Sequence, residues 1–138
     1  MNAMTKGDDL PTPFLLAMLV CDSVINDATT GKASIIGVFD TVFSPTFPVQ
    51  QAVSLYIRMT DAAGSYKVKL QFVRLDDDAV VATAEGEFTA EDRLRFVELS
   101  LRLPPVELRD AGNYEFRLWA NERYIGRATF SAAKAGKQ

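Results

Sequence analysis

The chain has 138 residues, of which 48% are hydrophobic and 24% charged, and its 18 acidic and 15 basic side chains give a net charge of −3. This length and balance are typical of one globular domain and exclude a disordered or low-complexity chain. The basic residues are scattered, whereas binding to DNA or RNA requires clustered Lys and Arg that displace counterions from the phosphates. We therefore expect no nucleic-acid partner.

Cysteine and histidine usage limits the chemistry further. Cys21 is the only cysteine, and histidine is absent. One sulfur cannot form an intrachain disulfide or a multi-cysteine zinc site. Without imidazole the chain cannot build a Ser-His-Asp or Cys-His catalytic group or a histidine-ligated metal site. The sequence also carries no phosphate-binding motif, so it predicts a protein that is not an enzyme and holds no cofactor or metal.

The N-terminal part begins with a polar stretch and continues with an apolar run. Residues 1–12 are predicted to be flexible, and residues 14–21 are an apolar run that ends in cysteine. A secretory or lipoprotein signal would require positive charge where Asp8 and Asp9 stand, and a small residue where Val20 stands. The run is also far shorter than the roughly 20 residues of a membrane-spanning helix. We interpret it as a buried strand and expect a cytoplasmic protein with no membrane partner.

Hydrophobic and polar residues alternate through most of the chain, with the period typical of β-strands. Turn-forming residues separate about eight such segments, at the spacing expected of a sandwich. The predicted strands are residues 14–25, 33–39, 53–60, 66–72, 80–88, 97–103, 114–119 and 124–130. We therefore predict an all-β fold, a two-sheet antiparallel β-sandwich. It forms a single domain over residues 13–132, followed by a disordered tail at 133–138.

Finer features of the pattern carry further expectations. The first two strands are nearly continuous apolar runs, which favours central strands or strands covered on both faces. The small inward residues Ala82, Ala84 and Gly86 predict a close approach of the facing sheet. Residues 44–48 contain two prolines and predict a crossing loop, while residues 89–93 are compatible with a single helical turn.

The segment Asp110-Ala111-Gly112-Asn113-Tyr114 resembles the tyrosine corner of immunoglobulin-like β-sandwiches, a D-x-G-x-Y turn that leads into a strand. In those folds the tyrosine hydroxyl bonds to main chain just upstream and fixes the crossover between the sheets. The resemblance gives that role to Tyr114. It also implies that Gly112 has a backbone angle that other residues avoid, and that the Asp110 carboxylate bonds to a backbone amide two residues later. Phe116 stands where antibody-type domains carry their second cysteine, which implies a sandwich outside the antibody type.

The first part of the chain carries a second resemblance. Cys21-Asp22, the run Gly-Lys-Ala-Ser-Ile-Ile-Gly-Val-Phe-Asp at residues 31–40, and Phe47-Pro48 are similar to a group of small uncharacterised bacterial proteins. No activity is attached to that group. The resemblance therefore implies a bacterial protein and nothing about its chemistry.

The last two strands allow a prediction of register. A three-residue loop at 121–123 makes every inward position of the hairpin apolar or small, whereas a two-residue loop places Arg127 in the core, where an unpaired charge is costly. The longer loop puts Trp119 opposite Ile125 and Arg117 opposite Arg127 on the outer face. A Trp-Ile pair flanked by arginines has the composition of an interface hot spot, unless another part of the chain covers it.

Other polar features are candidate sites, each with a structural alternative that we favour. Asp76-Asp77-Asp78 is either a calcium loop or a solvated turn. Glu85 and Glu87 are either the carboxylate pair of a glycoside hydrolase or an exposed pair of the kind that any sandwich offers. Cys21 lacks the histidine base that would make it a nucleophile. Asp40 either binds a ligand or caps a turn.

Together these patterns predict a non-enzymatic domain that acts through protein contacts. The partner is another protein or a second copy of the chain, bound through the outer face around Trp119 or through an exposed edge strand. The alternative is a module that binds a small molecule or carbohydrate in a pocket formed by the loops at residues 43–51 and 61–65. Both expectations rest partly on what sandwich folds commonly do.

Overall fold

A computed structural model describes residues 9–136. Within them the chain is all-β, with eleven strands and no α-helix. The strands are β1 (Phe14–Asn26), β2 (Ala33–Val38), β3 (Thr41–Ser44), β4 (Val49–Gln51), β5 (Ser54–Thr60), β6 (Gly64–Arg74), β7 (Ala79–Ala90), β8 (Val97–Arg102), β9 (Val106–Leu108), β10 (Gly112–Ala120) and β11 (Arg123–Lys134). None of the described segments is a helix long and apolar enough to cross a membrane.

The strands form three sheets. One has the order β2-β1-β5-β8, another has the order β3-β11-β10-β6-β7, and β4 pairs with β9 alone. β3 runs parallel to β11, and the other pairs are antiparallel. The all-β prediction is confirmed, but residues 9–136 form eleven strands in three sheets, where we predicted about eight strands in two. The additional strands β3, β4 and β9 have only three or four residues, too few to show alternation.

One hydrophobic core joins the two larger sheets and β9. The four-stranded sheet contributes Leu55, Ile57 and Met59, and the short strand β9 contributes Leu108, all fully buried. The five-stranded sheet contributes a group of aromatic rings whose centroids lie 4.8–6.2 Å apart. These rings are Phe72, Tyr114, Phe116 and Phe130. Removal of these apolar surfaces from water is the main stabilising contribution to the fold.

At the corner that leads into β10, Tyr114 and Gly112 have the predicted roles, but Asp110 does not. The Tyr114 hydroxyl donates to the carbonyl of Asp110 at 2.6 Å, and the amide of Asp110 donates back to that hydroxyl at 3.4 Å. Gly112 has φ +151°, and a Cβ at this position would overlap the carboxylate of Asp76. Asp110 makes these bonds through its backbone and not through its carboxylate. The turn is therefore fixed by a tyrosine and a glycine.

A second tyrosine turn precedes β6, and the sequence analysis missed it. Tyr66 donates its hydroxyl to the carbonyl of Pro11 at 2.6 Å and accepts from the amide of Ala63 at 3.1 Å. Gly64, the first residue of the strand, has φ +116°. The run Ala63-Gly64-Ser65-Tyr66 thus matches Ala111-Gly112-Asn113-Tyr114, an Ala-Gly-x-Tyr repeat that the sequence contains openly.

The repeat extends to two whole hairpins, β6–β7 and β10–β11, here called the twin hairpins. Each tyrosine stacks on a phenylalanine of the next strand, and each preceding polar residue bonds to a hydroxyl residue there. The stacked rings are Tyr66 with Phe88 at 5.0 Å and Tyr114 with Phe130 at 5.7 Å; the polar pairs are Ser65 with Thr89 at 3.3 Å and Asn113 with Ser131 at 2.7 Å. The twins lie side by side because β6 pairs with β10.

The turn of the second twin differs from the predicted three-residue loop. Asn121 and Glu122 have φ +47° and +67° and form a two-residue turn, the left-handed type that suits the twist of a hairpin. A bulge after Leu118 absorbs the extra residue, so Arg117 still lies opposite Arg127, as predicted. Trp119 instead lies opposite Tyr124. The prediction treated the ladder as regular, and a β-bulge removes the conflict that had excluded the shorter turn.

The limits of the ordered domain also differ from the prediction. Residues 10–12, placed in a flexible segment, contact the domain: Leu10 packs against Gly64, and Arg123 donates to the Thr12 hydroxyl at 2.8 Å. β11 continues to Lys134, inside the predicted tail, because it pairs with β3. Residues 1–8 and 137–138 lie outside the described part. Residues 89–93 form the end of β7 and a turn, not a helical turn.

The two apolar strands at the start of the chain have different positions. β1 lies between β2 and β5, as expected of a central strand. β2 is an edge strand, and its side chains Ile36 and Val38 are 47% and 57% exposed. The prediction that both strands are central or covered on both faces is therefore wrong for β2. An apolar run shows that a strand has no charged side chains, but it does not show that both faces are covered.

Candidate functional site

One long side of the domain, where β11 meets β1, is closed by side chains. Gly126 of β11 has no side chain, and the Leu15 side chain of β1 fills the space above it so closely that a Cβ on Gly126 would overlap the Leu15 Cδ2 methyl. Phe39 packs its ring edge-on against Phe130 at 5.8 Å. The two larger sheets are thus linked along this side.

The opposite long side, between β7 and β8, is open. A cavity of about 470 Å³ lies between β7 and the segment that joins β8 to β9, and a second of about 270 Å³ continues it between β7 and β8. Leu70, Ala84 and Leu103 line both, so the two form one groove. We call it the β7–β8 slit and define it by Ala82, Ala84, Gly86, Leu99, Leu101 and Leu103.

The small residues of β7 create this opening. Ala82, Ala84 and Gly86 face inward, opposite Phe72, Leu70 and Val68 of β6. The predicted close approach of the facing sheet does not occur, since all three residues are exposed and a Cβ built on Gly86 would have no atom of residues 9–136 within 4 Å. Small side chains allow close packing but do not enforce it. Here they leave an apolar groove.

Both walls of the slit are edge strands. Within residues 9–136, β7 pairs only with β6 and β8 pairs only with β5, so in this part of the chain each has one edge of unpaired backbone donors and acceptors. Residues 80–87 of β7 are exposed throughout, whereas Leu99 and Leu101 of β8 are half-buried against the core. An exposed edge is a template for another strand.

The predicted contact surface around Trp119 is only partly present. Trp119 faces outward, half-buried, with the Lys69 ammonium 4.5 Å from its ring centre and the Tyr124 ring edge-on at 5.7 Å. Ile125 occupies the bulge and packs against the core, so it does not extend this surface. The tryptophan is therefore a platform bordered by Lys69 and Tyr124.

The two arginines of the predicted contact surface, Arg117 and Arg127, bind a buried carboxylate. Glu115, only 2% exposed on the outer face, accepts a hydrogen bond from Arg117 at 2.5 Å and another from Arg127 at 3.4 Å. The bond to Glu115 is the main cause that raises the pKa of Arg117, and Arg117 also reaches Asp78 at 3.1 Å. The arginines thus neutralise a buried charge within the chain. Sequence reasoning missed Glu115 because it stands at an ordinary outward position of the strand.

The structure brings Glu85 and Glu87 to the same outer face as Trp119. They lie opposite Lys69 and Lys67 of β6, and together with Trp119 they line a shallow depression of about 980 Å³. Both glutamates are exposed, without the burial that sets up an acid and a base in a glycosidase. Their surroundings are those of cross-strand charge pairs.

The remaining candidate residues serve the fold. Asp77 pairs with Arg74 at 2.7 Å while Asp78 faces Arg117, so the aspartates of this turn point to different partners. Among the described residues, no group of three or more Cys, Asp or Glu side chains could hold a metal ion. Cys21 is completely buried, which raises the pKa of its thiol. Asp40 accepts from the Thr41 hydroxyl at 3.1 Å in the turn before β3.

The two loops of the expected ligand pocket do not meet. Residues 43–51 lie before the start of β5 and residues 61–65 follow its end. A seven-residue strand separates the loops by roughly 20 Å. These loops therefore cannot form one pocket together. The largely apolar cavity of the domain is instead the β7–β8 slit, beside Ala84.

A sequence model of a family of unknown function, DUF6941, matches residues 16–133. The chain belongs to this family. The matched range includes all of β7 and β8, so the slit lies within the DUF6941 domain. A search of curated proteins finds no match. The family provides no function of its own, and the surfaces described above are the basis for proposing one.

Proposed function

We propose that this DUF6941 domain is a non-enzymatic binding module that takes up an extended segment of protein at the β7–β8 slit. We place it in the bacterial cytoplasm, on the basis of the resemblance at residues 21–48 and the acidic residues before the first apolar run. We also consider the fold a variant of the immunoglobulin-like sandwiches. The bond between Tyr114 and Asp110 supports that relationship.

The combination of an apolar groove with two unpaired strand edges carries the proposal. An added strand would pair its backbone with the free edge of β7, and every second side chain would enter the groove. The slit offers both elements, because the edge of β7 is exposed over residues 80–87 and its inward side chains are an alanine or a glycine at 82, 84 and 86. A partner would bury these apolar surfaces and form hydrogen bonds with the unpaired backbone groups of the β7 edge.

A second candidate function is the binding of a small apolar molecule in the same slit. The larger cavity, of about 470 Å³, falls in the range of roughly 300–1,000 Å³ that is usual for ligand sites. Its lining is mostly apolar, and its polar residues are Gln50, Thr83 and Glu107. This candidate replaces the pocket predicted between the loops.

Affinity capture from an extract of the source cells tests the proposal with three forms of the protein. Gly86→Leu places a side chain in the slit, where the structure leaves room for it, and Trp119→Ala changes the outer face instead. We expect Gly86→Leu to lose a protein partner that the wild type and Trp119→Ala both retain. A partner lost only by Trp119→Ala would contradict the proposal. A small molecule found by native mass spectrometry in the wild type but not in Gly86→Leu would establish the second candidate.

A further inference from the structure

The free edge of β7 carries two exposed carboxylates on the outer face of its sheet. Glu85 and Glu87 lie opposite Lys69 and Lys67 of β6, but the Lys69 ammonium lies over the Trp119 ring, toward β10 and away from β7. Within residues 9–136 no ion pair includes either glutamate. Residues directly opposite one another in a strand pair lie on the same face, so basic side chains would favour an added strand here and acidic ones would disfavour it.

The inner face of the same edge has room for large apolar side chains. A strand added to β7 would lie roughly 4.8 Å from it, with every second side chain beside an inward residue of β7. Those inward residues have at most a methyl group, so the new side chains would reach over them to the larger residues of β6. The β7 and β6 residues lie opposite one another as Ala82 with Phe72, Ala84 with Leu70 and Gly86 with Val68.

The two ends of the slit differ in size and lining. Near Gly86 the cavity measures about 270 Å³, and the leucines of β8 line it. Near Ala82 it measures about 470 Å³, and Phe72 and Phe116 form part of its wall. Aromatic rings pack favourably against one another in offset or edge-on arrangements. An aromatic side chain would therefore fit beside Ala82, and aliphatic side chains would fit beside Ala84 and Gly86.

We propose that the slit binds an extended protein segment in which apolar residues alternate with basic ones and an aromatic residue stands at one end, an inference that rests on the proposed function. The segment adds to β7 as a sixth strand of the five-stranded sheet. Its basic side chains lie beside Glu85 and Glu87, and its aromatic side chain lies beside Ala82. Backbone hydrogen bonds form with any sequence, so the side chains determine which segment binds.

Charge distinguishes this segment from other extended segments on both faces of the edge. On the outer face, each opposite-charge pair across two strands is favourable and each like-charge pair is unfavourable. The two glutamates therefore set the preference for a basic over an acidic segment at about tenfold. On the inner face, a charged side chain would leave water to lie among Leu99, Leu101 and Leu103, which is costly without a partner. Segments with inward charge are thus rejected.

Binding of fluorescein-labelled peptides to the full chain, measured by anisotropy, tests the proposal. The probe, Ser-Lys-Leu-Lys-Leu-Thr-Phe-Ser, adds antiparallel to β7 with phenylalanine beside Ala82 and leucines beside Ala84 and Gly86. Its lysines then lie beside Glu85 and Glu87. We expect this peptide to bind the wild type about tenfold more tightly than a form with glutamate at both lysine positions, and Gly86→Leu to weaken its binding at least tenfold. A wild type that binds neither peptide, or both equally, would overturn the proposal.

A matched pair of substitutions separates the charge of the β7 edge from the net charge of the chain. Glu85→Lys and Glu122→Lys make the same chemical change at exposed residues of the same outer face, but Glu122 stands in the turn between β10 and β11. β6 and β10 separate it from β7. We expect Glu85→Lys to reduce the preference for the basic peptide about fivefold and Glu122→Lys to leave it unchanged. Equal effects would mean that net charge alone attracts the peptide, and the proposal would fall.

Failure of this inference is distinct from failure of the proposed function. If the wild type binds neither peptide but Gly86→Leu still loses a cellular partner in affinity capture, the slit binds a segment of another composition. The alternating basic and apolar pattern is then wrong, while the binding module stands. If Gly86→Leu changes neither peptide binding nor partner capture, both proposals are wrong.

Discussion

Matched glycine substitutions in the twin hairpins test whether the slit is open in solution. We expect Gly86→Ala to stabilise the fold and Gly126→Ala to destabilise it, although both put one methyl group on an inward strand position. A Cβ on Gly86 meets no atom of the described residues within 4 Å, whereas one on Gly126 overlaps the Leu15 Cδ2 methyl. The chemical change is the same at both positions, so the distance to the facing sheet determines whether the fold gains or loses stability.

The magnitudes follow from two opposing terms. Replacement of glycine by alanine lowers the entropy of the unfolded chain and stabilises by about 0.4–1 kcal/mol where the backbone accepts it. Gly86→Ala should realise this gain in full. At Gly126 the same gain is offset by overpacking, which costs about 1–3 kcal/mol; the lower half of that range applies because Leu15 Cγ lies 3.6 Å from the new Cβ and only its methyl must move.

Urea unfolding with a common m-value measures both effects as free energies of unfolding. The Leu15→Ala change completes a double-mutant cycle, because it removes the side chain that Gly126→Ala would contact. We expect the cost of Gly126→Ala to disappear in that background, and the effect of Gly86→Ala to stay the same. Loss of stability on Gly86→Ala, comparable to that at Gly126, would show that the facing sheet closes over β7 and would refute the open slit.

Three further predictions concern contacts within the domain. Tyr114→Phe and Tyr66→Phe should each lower the free energy of unfolding by about 1–2 kcal/mol, since each removes a hydrogen bond to a carbonyl; unchanged urea midpoints would contradict both turns. Arg117→Met should destabilise by about 2–4 kcal/mol, because it leaves a buried carboxylate short of its closest partner, and Arg127→Met by less than about 1 kcal/mol; the reverse order in urea would refute the assignment. Backbone amides of Thr30 and then Thr29 lower the pKa of Asp27 below its usual 3.8, so its ionised form stabilises the fold above that pH and the contribution is lost as the pH falls through the folded value. The difference in melting temperature between wild type and Asp27→Ala should therefore shrink on acidification, and a gap that is constant with pH would contradict this.

The long strands and the corner could be predicted because local chemistry determines them. Alternation places side chains on two faces wherever it continues, and the turn before Tyr114 needs a glycine whatever surrounds it. The β-bulge beside Trp119 could not be predicted, since the turn at Asn121 and the register of the ladder only fit together in three dimensions. The assumption of a regular ladder therefore gave the wrong partner for Trp119. It also placed Ile125 on the outer face, whereas Ile125 packs against the core.

The candidate site was harder to predict than the fold. Ala82, Ala84 and Gly86 are compatible with both a close approach and a gap, and the choice depends on a facing sheet that is distant in sequence. Glu115 has the same position in the pattern as any outward residue, and only the arrangement of Arg117 and Arg127 around it explains its burial. The Ala-Gly-x-Tyr repeat was available in the sequence, and a search for short internal repeats would have found it.

The twin hairpins have a consequence for the order of folding. Each contains its own glycine turn, tyrosine anchor and stacked aromatic pair, so most of its contacts form between residues close in sequence. Local contacts form early because they require little loop closure, whereas the pairing of β6 with β10 joins distant parts of the chain. We expect the twin hairpins to form early and independently, and to pair later through β6 and β10. β1 and β3 then add to the second hairpin, β10–β11, only.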